Sequence, residues 1–271
     1  MASDNQSKWT LYVPKGSKAA YQANQYWRGF KSIVEDASLV SGNGEPGNGG
    51  ESEDKPSSPK YDYRNLTYYI DGVAYKMILV DGGPLPPFYI MQTELPTDKP
   101  FMIENEYIGI LDNNLDNTVI RSEFKSFLDN LRALTGIEFR LPTTSEWLYA
   151  AKGGKKNKGY IYSGSDNIDE VAWYKNNSGH MLQDIAKKKP NELGLYDMSG
   201  NYAEISNDND NVYDIDGNLC GGNWSEEEKF CKSNYVKPQP ASGKIPGTNF
   251  KNAHAFNARY ETVRFVYSIP K

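Results

Sequence analysis

A chain of 271 residues with a net charge of −5 and a pI near 5.3 has room for one sizeable core plus a small appendage, and its acidic balance argues against nucleic-acid binding. Two cysteines, Cys220 and Cys231, and two histidines, His180 and His254, form no Cys-x-x-Cys or His-x-x-x-His pair, which argues against an ordinary zinc site. The opening MASDNQSKWT lacks the apolar centre of a signal peptide and no apolar run reaches membrane-spanning length, so neither a leader nor membrane insertion is expected.

The elements follow in chain order. TLYVP reads as a short strand, Pro14 and Gly16 turn the chain, Lys18 to Phe30 reads as a helix, and FKSIVED as a second short strand. This block, residues 1–36, resembles the closing segment of BspA-type leucine-rich repeats. One such unit cannot bury its apolar face alone, so docking or self-association through it is expected. Residues 37–60, rich in Gly, Ser, Pro and acidic groups, read as a flexible linker. Residues 61–271 read as the main domain. Its first two strands flank Asp71-Gly72, a good two-residue hairpin turn. Ser122 to Thr135 reads as an amphipathic helix with Phe124, Phe127, Leu128, Leu131 and Leu134 on one face and Gly136 as its stop. Thr143 and Glu146 form a capping box for a second helix. VYDIDGNLCGGNW reads as strand, Asp216-Gly217 turn and strand, and RFVYSIP as the last strand, closing against the early hairpin. Two helices among short strands and long loops define an α+β fold. The lysine runs at 155–158 and 187–189 read as solvated loop charges. The abundant tyrosines, 20 in all, suit either a recognition surface or strand interiors.

Three motifs carry a resemblance. RLPTTSEWLYAAKGG (Arg140 to Gly154), NELGLYDMSGNYAEI (Asn191 to Ile205) and CGGNW (Cys220 to Trp224) occur in this order and spacing. Together they resemble the formylglycine-generating enzyme, or sulfatase-modifying factor, family, over roughly Met77 to Pro270. The resemblance implies a C-type-lectin-like α+β domain. It also implies an activity: two cysteines after the Gly-Gly pair bind copper and activate oxygen to oxidise a client cysteine. Here the first of those positions holds Glu226 and only the second, Cys231, holds a thiol. One carboxylate and one sulfur do not make the bis-thiolate site that Cu(I) prefers, so copper is not expected. Cys231 is a catalytic candidate only if the enzymatic alternative holds. A disulfide between Cys220 and Cys231 is open at this level, since sequence supplies no Cα separation.

The resemblance further implies a structural Ca²⁺ held by Asn201 and Glu204 with turn carbonyls, a donor set that suits a hard cation. The alternative is an Asn cap and an exposed Glu. A second family calcium position is weakened by Ala172. The acidic stretch SNDNDNVYDIDGN does not fit the EF-hand frame. Two functions follow. The first is a non-catalytic recognition protein, an adhesin or virion component, that presents C-terminal loops to a protein or glycan ligand on a cell surface. Its expected contact residues are Asn223, Trp224, Glu226, Tyr235 and Asn249. The second is a copper-dependent oxidoreductase of the formylglycine-generating type. The first implies an extracellular, cell-surface or virion setting.

Overall fold

The computed structural model describes residues 10–14, 18–19, 32–36, 66–70, 73–81, 83–96, 101–103, 106–108, 118–238, 255–257 and 260–269. The linker expected at 37–60, the turn 71–72 and Asn249 lie outside the described residues. The chain divides into two units, Met1–Ser57 and Ser58–Lys271.

In the first unit, strands β1 (Thr10–Pro14) and β2 (Ser32–Asp36) run parallel, with Leu11 opposite Ile33 and Val13 opposite Glu35. A parallel pair requires a crossover. Of that crossover, Lys18 and Ala19 are helical, and the Lys18 N–H donates to the Glu35 carboxylate at 3.1 Å.

The second unit begins with β3 (Thr67–Ile70), β4 (Val73–Val80) and β5 (Phe88–Met91). Strands β3 and β4 pair antiparallel up to Ile70 and Val73, leaving two residues for the turn, as the Asp-Gly signal requires. Strands β6 (Phe101–Ile103), β7 (Glu106–Ile108) and β14 (Val266–Ser268) complete a six-stranded sheet of order β14-β5-β4-β3-β6-β7. The last strand therefore closes on β5, beside the early hairpin. A second sheet has order β11-β10-β9-β13, built from β9 (Ala203–Ser206), β10 (Asn218–Cys220), β11 (Val236–Pro238) and β13 (Glu261–Thr262). A third pair joins β8 (Thr118–Ile120) to β12 (Ala255–Asn257).

Helix α1 (Arg121–Thr135) buries Phe124, Phe127, Leu128 and Leu131, the stripe its spacing predicts. Gly136 ends it at φ 69°, and Arg132 donates to the Phe139 carbonyl from Nε at 3.0 Å and a terminal nitrogen at 2.7 Å. Three rings from this region surround Phe265: Phe124 and Phe127 stack on it at 6.2 and 5.6 Å, and Phe139 meets it edge-on at 6.3 Å. Helix α2 (Thr144–Ala151) has the expected capping box: Thr143 Oγ1 accepts from the Glu146 N–H, and Glu146 accepts from the Thr143 N–H. Its Trp147 is fully buried among Val80, Phe88, Ile90 and Met198. Helix α3 (Ile168–Val171) is one turn, capped by Asn167.

One element departs from its sequence reading. VYDI (212–215) is not a strand, and β10 pairs instead with β9, Leu219 opposite Ile205, and with β11. Asn and Asp side chains explain this. Asn207, Asn211 and Asp214 each accept from the backbone N–H two residues on, at 2.8, 3.1 and 3.1 Å, folding 207–216 into successive turns. Ile215 then drops into the core as a single fully buried residue.

Candidate functional site

The loop after β10 is shaped by a Gly-Gly pair. Gly221 and Gly222 have φ of 81° and 68°, and a Cβ on Gly222 would lie 2.5 Å from the Phe230 carbonyl oxygen and 3.1 Å from Cys231 Sγ. No other residue type fits there without moving backbone. The turn beyond is held by its own polar groups. Asn223 Oδ1 accepts from the Ser225 N–H at 2.9 Å and from its hydroxyl at 2.8 Å, while the Asn223 N–H donates to Glu226 Oε2 at 3.2 Å. Trp224 stacks on Tyr260 at 5.4 Å, and its carbonyl accepts from the Ser178 hydroxyl at 2.9 Å.

Four of the expected contact residues therefore sit around one turn, in two tiers. Asn223 and Trp224 are only 8% and 6% exposed, so they shape the turn from beneath. Glu226 and Tyr235 are half-buried and reach solvent. Lys237 Nζ stands 3.8 Å from Glu226 Oε1. Burial raises the Glu226 carboxyl above the ordinary range, against the pull of Lys237 and the Asn223 N–H. Tyr235 is raised by burial and then by the Glu226 charge, and its ring meets Phe230 edge-on at 5.2 Å. A carboxylate and a phenol in this loop, with an ammonium on the adjoining β11, can bind a polar partner.

The two thiols are separate and free. Cys231 is fully buried among Tyr162, Ile168, Val171, Ala172 and Tyr174. Burial pushes its thiol up to about 12, and the Glu226 and Glu228 charges push the same way. Cys220 lies in another cluster, with Trp147, Ala150 and Met198. Burial pushes it to about 12 as well, against the Ser206 hydroxyl at 3.6 Å. One buried thiol and one carboxylate at these two positions do not supply the pair of sulfurs that Cu(I) prefers.

Asn201 and Glu204 lie deep in the domain, both fully buried, so neither an exposed Glu nor a surface cap describes them. Glu204 Oε2 accepts from Trp147 Nε1 at 2.7 Å and Arg264 Nε at 2.8 Å, and Oε1 accepts from a second Arg264 nitrogen at 2.5 Å. Asn201 Oδ1 accepts from the Gln183 N–H at 3.1 Å, and its amide nitrogen donates to Glu94 Oε1 at 2.5 Å. Ca²⁺ needs six to eight oxygens, as a rule. Here the carboxylate already faces a guanidinium and an indole N–H, so the expected calcium site does not fit these residues as placed. Among the described residues, no group of three or more His, Cys, Asp and Glu is arranged to hold a metal ion.

The residue missed by sequence reasoning is Arg264. Its signal was present: an arginine inside the apolar run TVRFVY is buried only with a partner. Its partners, Glu204 and the carbonyls of Met91 and Tyr196, lie too far away in sequence to be read.

This fold and motif set define a class. Residues 107–253, more than half of the chain, match the Sulfatase-modifying factor enzyme 1-like domain, and the chain belongs to that family. Chaperone protein LppX of Paenibacillus barcinonensis is 34% identical over 171 residues, covering 56% of this chain and 54% of LppX. The chain thus spans about half the length of that curated relative. Treponema denticola variable protein 1 is similar in structure with a TM-score of 0.51 and 18% identity, over 75% of this chain and 98% of that one. CarF is similar with a TM-score of 0.50 and 21% identity, over 72% of this chain and 99% of its own. At such identities these two likenesses concern the fold. Residues 1–36, read as BspA-like, lie outside the matched residues 107–253.

Proposed function

We propose that this domain is a non-catalytic recognition module that binds a polypeptide through the Glu226–Tyr235 turn and the loop that follows it. The observation that carries this reading is the pair of residues at the family's copper positions. Glu226 is a carboxylate bonded to the Asn223 N–H and facing Lys237, and Cys231 is a sealed thiol. The scaffold keeps its turn and lacks a soft-metal donor pair. A protein ligand is favoured over a glycan because LppX bears the name of a chaperone protein, and holding a polypeptide is what that name describes. Asn223 and Trp224 support the surface, while Glu226 and Tyr235 contact the partner. Asn249, outside the described residues, belongs to the same proposed surface by its place in sequence. The setting we infer for such a head is extracellular, on a cell surface or on a virion, with the first unit as its docking or self-association element.

The test is a binding screen with the intact chain against arrayed cell-surface proteins and, separately, glycans. The expected result is retention of a protein ligand, weakened at least tenfold by Glu226→Lys and by Tyr235→Ala in variants that still melt cooperatively. Binding that is confined to glycans, or that is indifferent to both substitutions, contradicts the reading.

A further inference from the structure

We infer that Arg264 takes the place of a bound cation at the centre of this domain, so that the fold is tied together by an internal guanidinium and is independent of Ca²⁺ at Asn201 and Glu204. Arg264 is fully buried and its donors are spent on three separate parts of the chain. One nitrogen donates to the Met91 carbonyl at 2.9 Å, at the end of β5. Another donates to the Tyr196 carbonyl at 2.8 Å, in the loop before β9, and to Glu204 Oε1 at 2.5 Å. Nε donates to Glu204 Oε2 at 2.8 Å. One carboxylate and two backbone carbonyls around a buried positive charge form the type of oxygen shell that a hard cation would gather. Here the charge is covalently part of the chain.

The neighbouring groups agree with this assignment. Glu94 and Asp197 are buried close enough to feel the Arg264 charge. Glu94 accepts from the Asn201 amide at 2.5 Å and from the Tyr202 N–H at 3.3 Å. That bond turns the Asn201 amide nitrogen toward Glu94 and its oxygen toward the Gln183 N–H. Asp197 accepts from the Ala186 N–H at 2.7 Å. A divalent ion entering this shell would have to displace the guanidinium or sit beside it, against strong like-charge repulsion at low dielectric.

The test compares thermal melts of the intact chain in millimolar Ca²⁺ and in excess EGTA, with elemental analysis of calcium after dialysis. The expected result is superimposable melts and substoichiometric calcium. In Glu204→Gln and Arg264→Met the melting temperature falls by several degrees and still does not respond to Ca²⁺. The double variant Glu204→Leu with Arg264→Met loses less than the single losses of Glu204→Leu and Arg264→Met added together, as coupled partners do. A melt lowered by EGTA and restored by Ca²⁺, or one calcium retained per chain and lost in Glu204→Gln, overturns the inference. So does a double variant whose loss equals the sum of those two singles. Should a variant fail to fold, the two measurements on the intact chain still decide.

Discussion

At the scale of single residues, the chemistry turns on which groups are charged. Cys220 and Cys231 are both fully buried and both raised to about 12, so neither presents a thiolate. The expected outcome is that a thiol reagent labels neither cysteine in the native chain at neutral pH and labels both after denaturation. The buried acids set a pH dependence of stability. Burial pushes Asp197 from 3.8 up to about 6, opposed by the Ala186 N–H and Arg264, and Glu94 is raised by burial and by the Asp197 and Glu204 charges. A carboxyl raised on folding holds its proton more tightly when folded. Its stabilisation is therefore complete below the unfolded value of 3.8 and is lost as pH rises through about 6. Glu146 works in the opposite sense: burial opposes it, yet Arg140 and the Thr143 N–H hold it below its ordinary value, so its contribution is lost on acidification. Melting temperature should therefore fall as pH is raised through the acidic range up to about 6, and Asp197→Asn should flatten that slope. Breaking the buried pair by Glu204→Ala should cost about 3–5 kcal/mol in chemical denaturation, because it strands a guanidinium. Glu226 and Cys231 were legible from the sequence because their count from Gly221 is local. The Glu204–Arg264 pair spans 60 residues and was not.

At the scale of elements, the local signals were read where periodicity and caps agree. Helix α1 follows its apolar stripe, α2 its Thr143–Glu146 box, and β3–β4 its two-residue turn. The stretch 212–215 misled because its apolar residues alternate while the Asn and Asp side chains around it take the backbone N–H groups a strand would need. Thr143→Ala should cost about 1 kcal/mol by urea denaturation, since it removes the cap on α2 while Asp208 still accepts from the Thr144 N–H. Gly200→Ala should cost more. Gly200 has φ 75° and its new Cβ would stand 2.2 Å from the Trp173 carbonyl oxygen, across the bridge that joins the NYAEI motif to the segment after α3.

At the scale of the whole molecule, three motifs in order were enough to read the α+β, C-type-lectin-like class, because each marks a fixed structural junction. These are the cap of α2, the αL residues Asp197 and Asn201 before β9, and the Gly-Gly turn after β10. Function was less legible, since it depends on what two positions around one turn place together, and on a loop that carries no regular pattern. We propose that this family member keeps the scaffold without a soft-metal centre. The most direct measurement is an anaerobic Cu(I) titration of the intact chain against a competing chelator, read alongside a Cys231→Ser variant. The account predicts no stoichiometric Cu(I) and identical curves for the two proteins. One tightly held Cu(I) per chain, absent from Cys231→Ser, would contradict it.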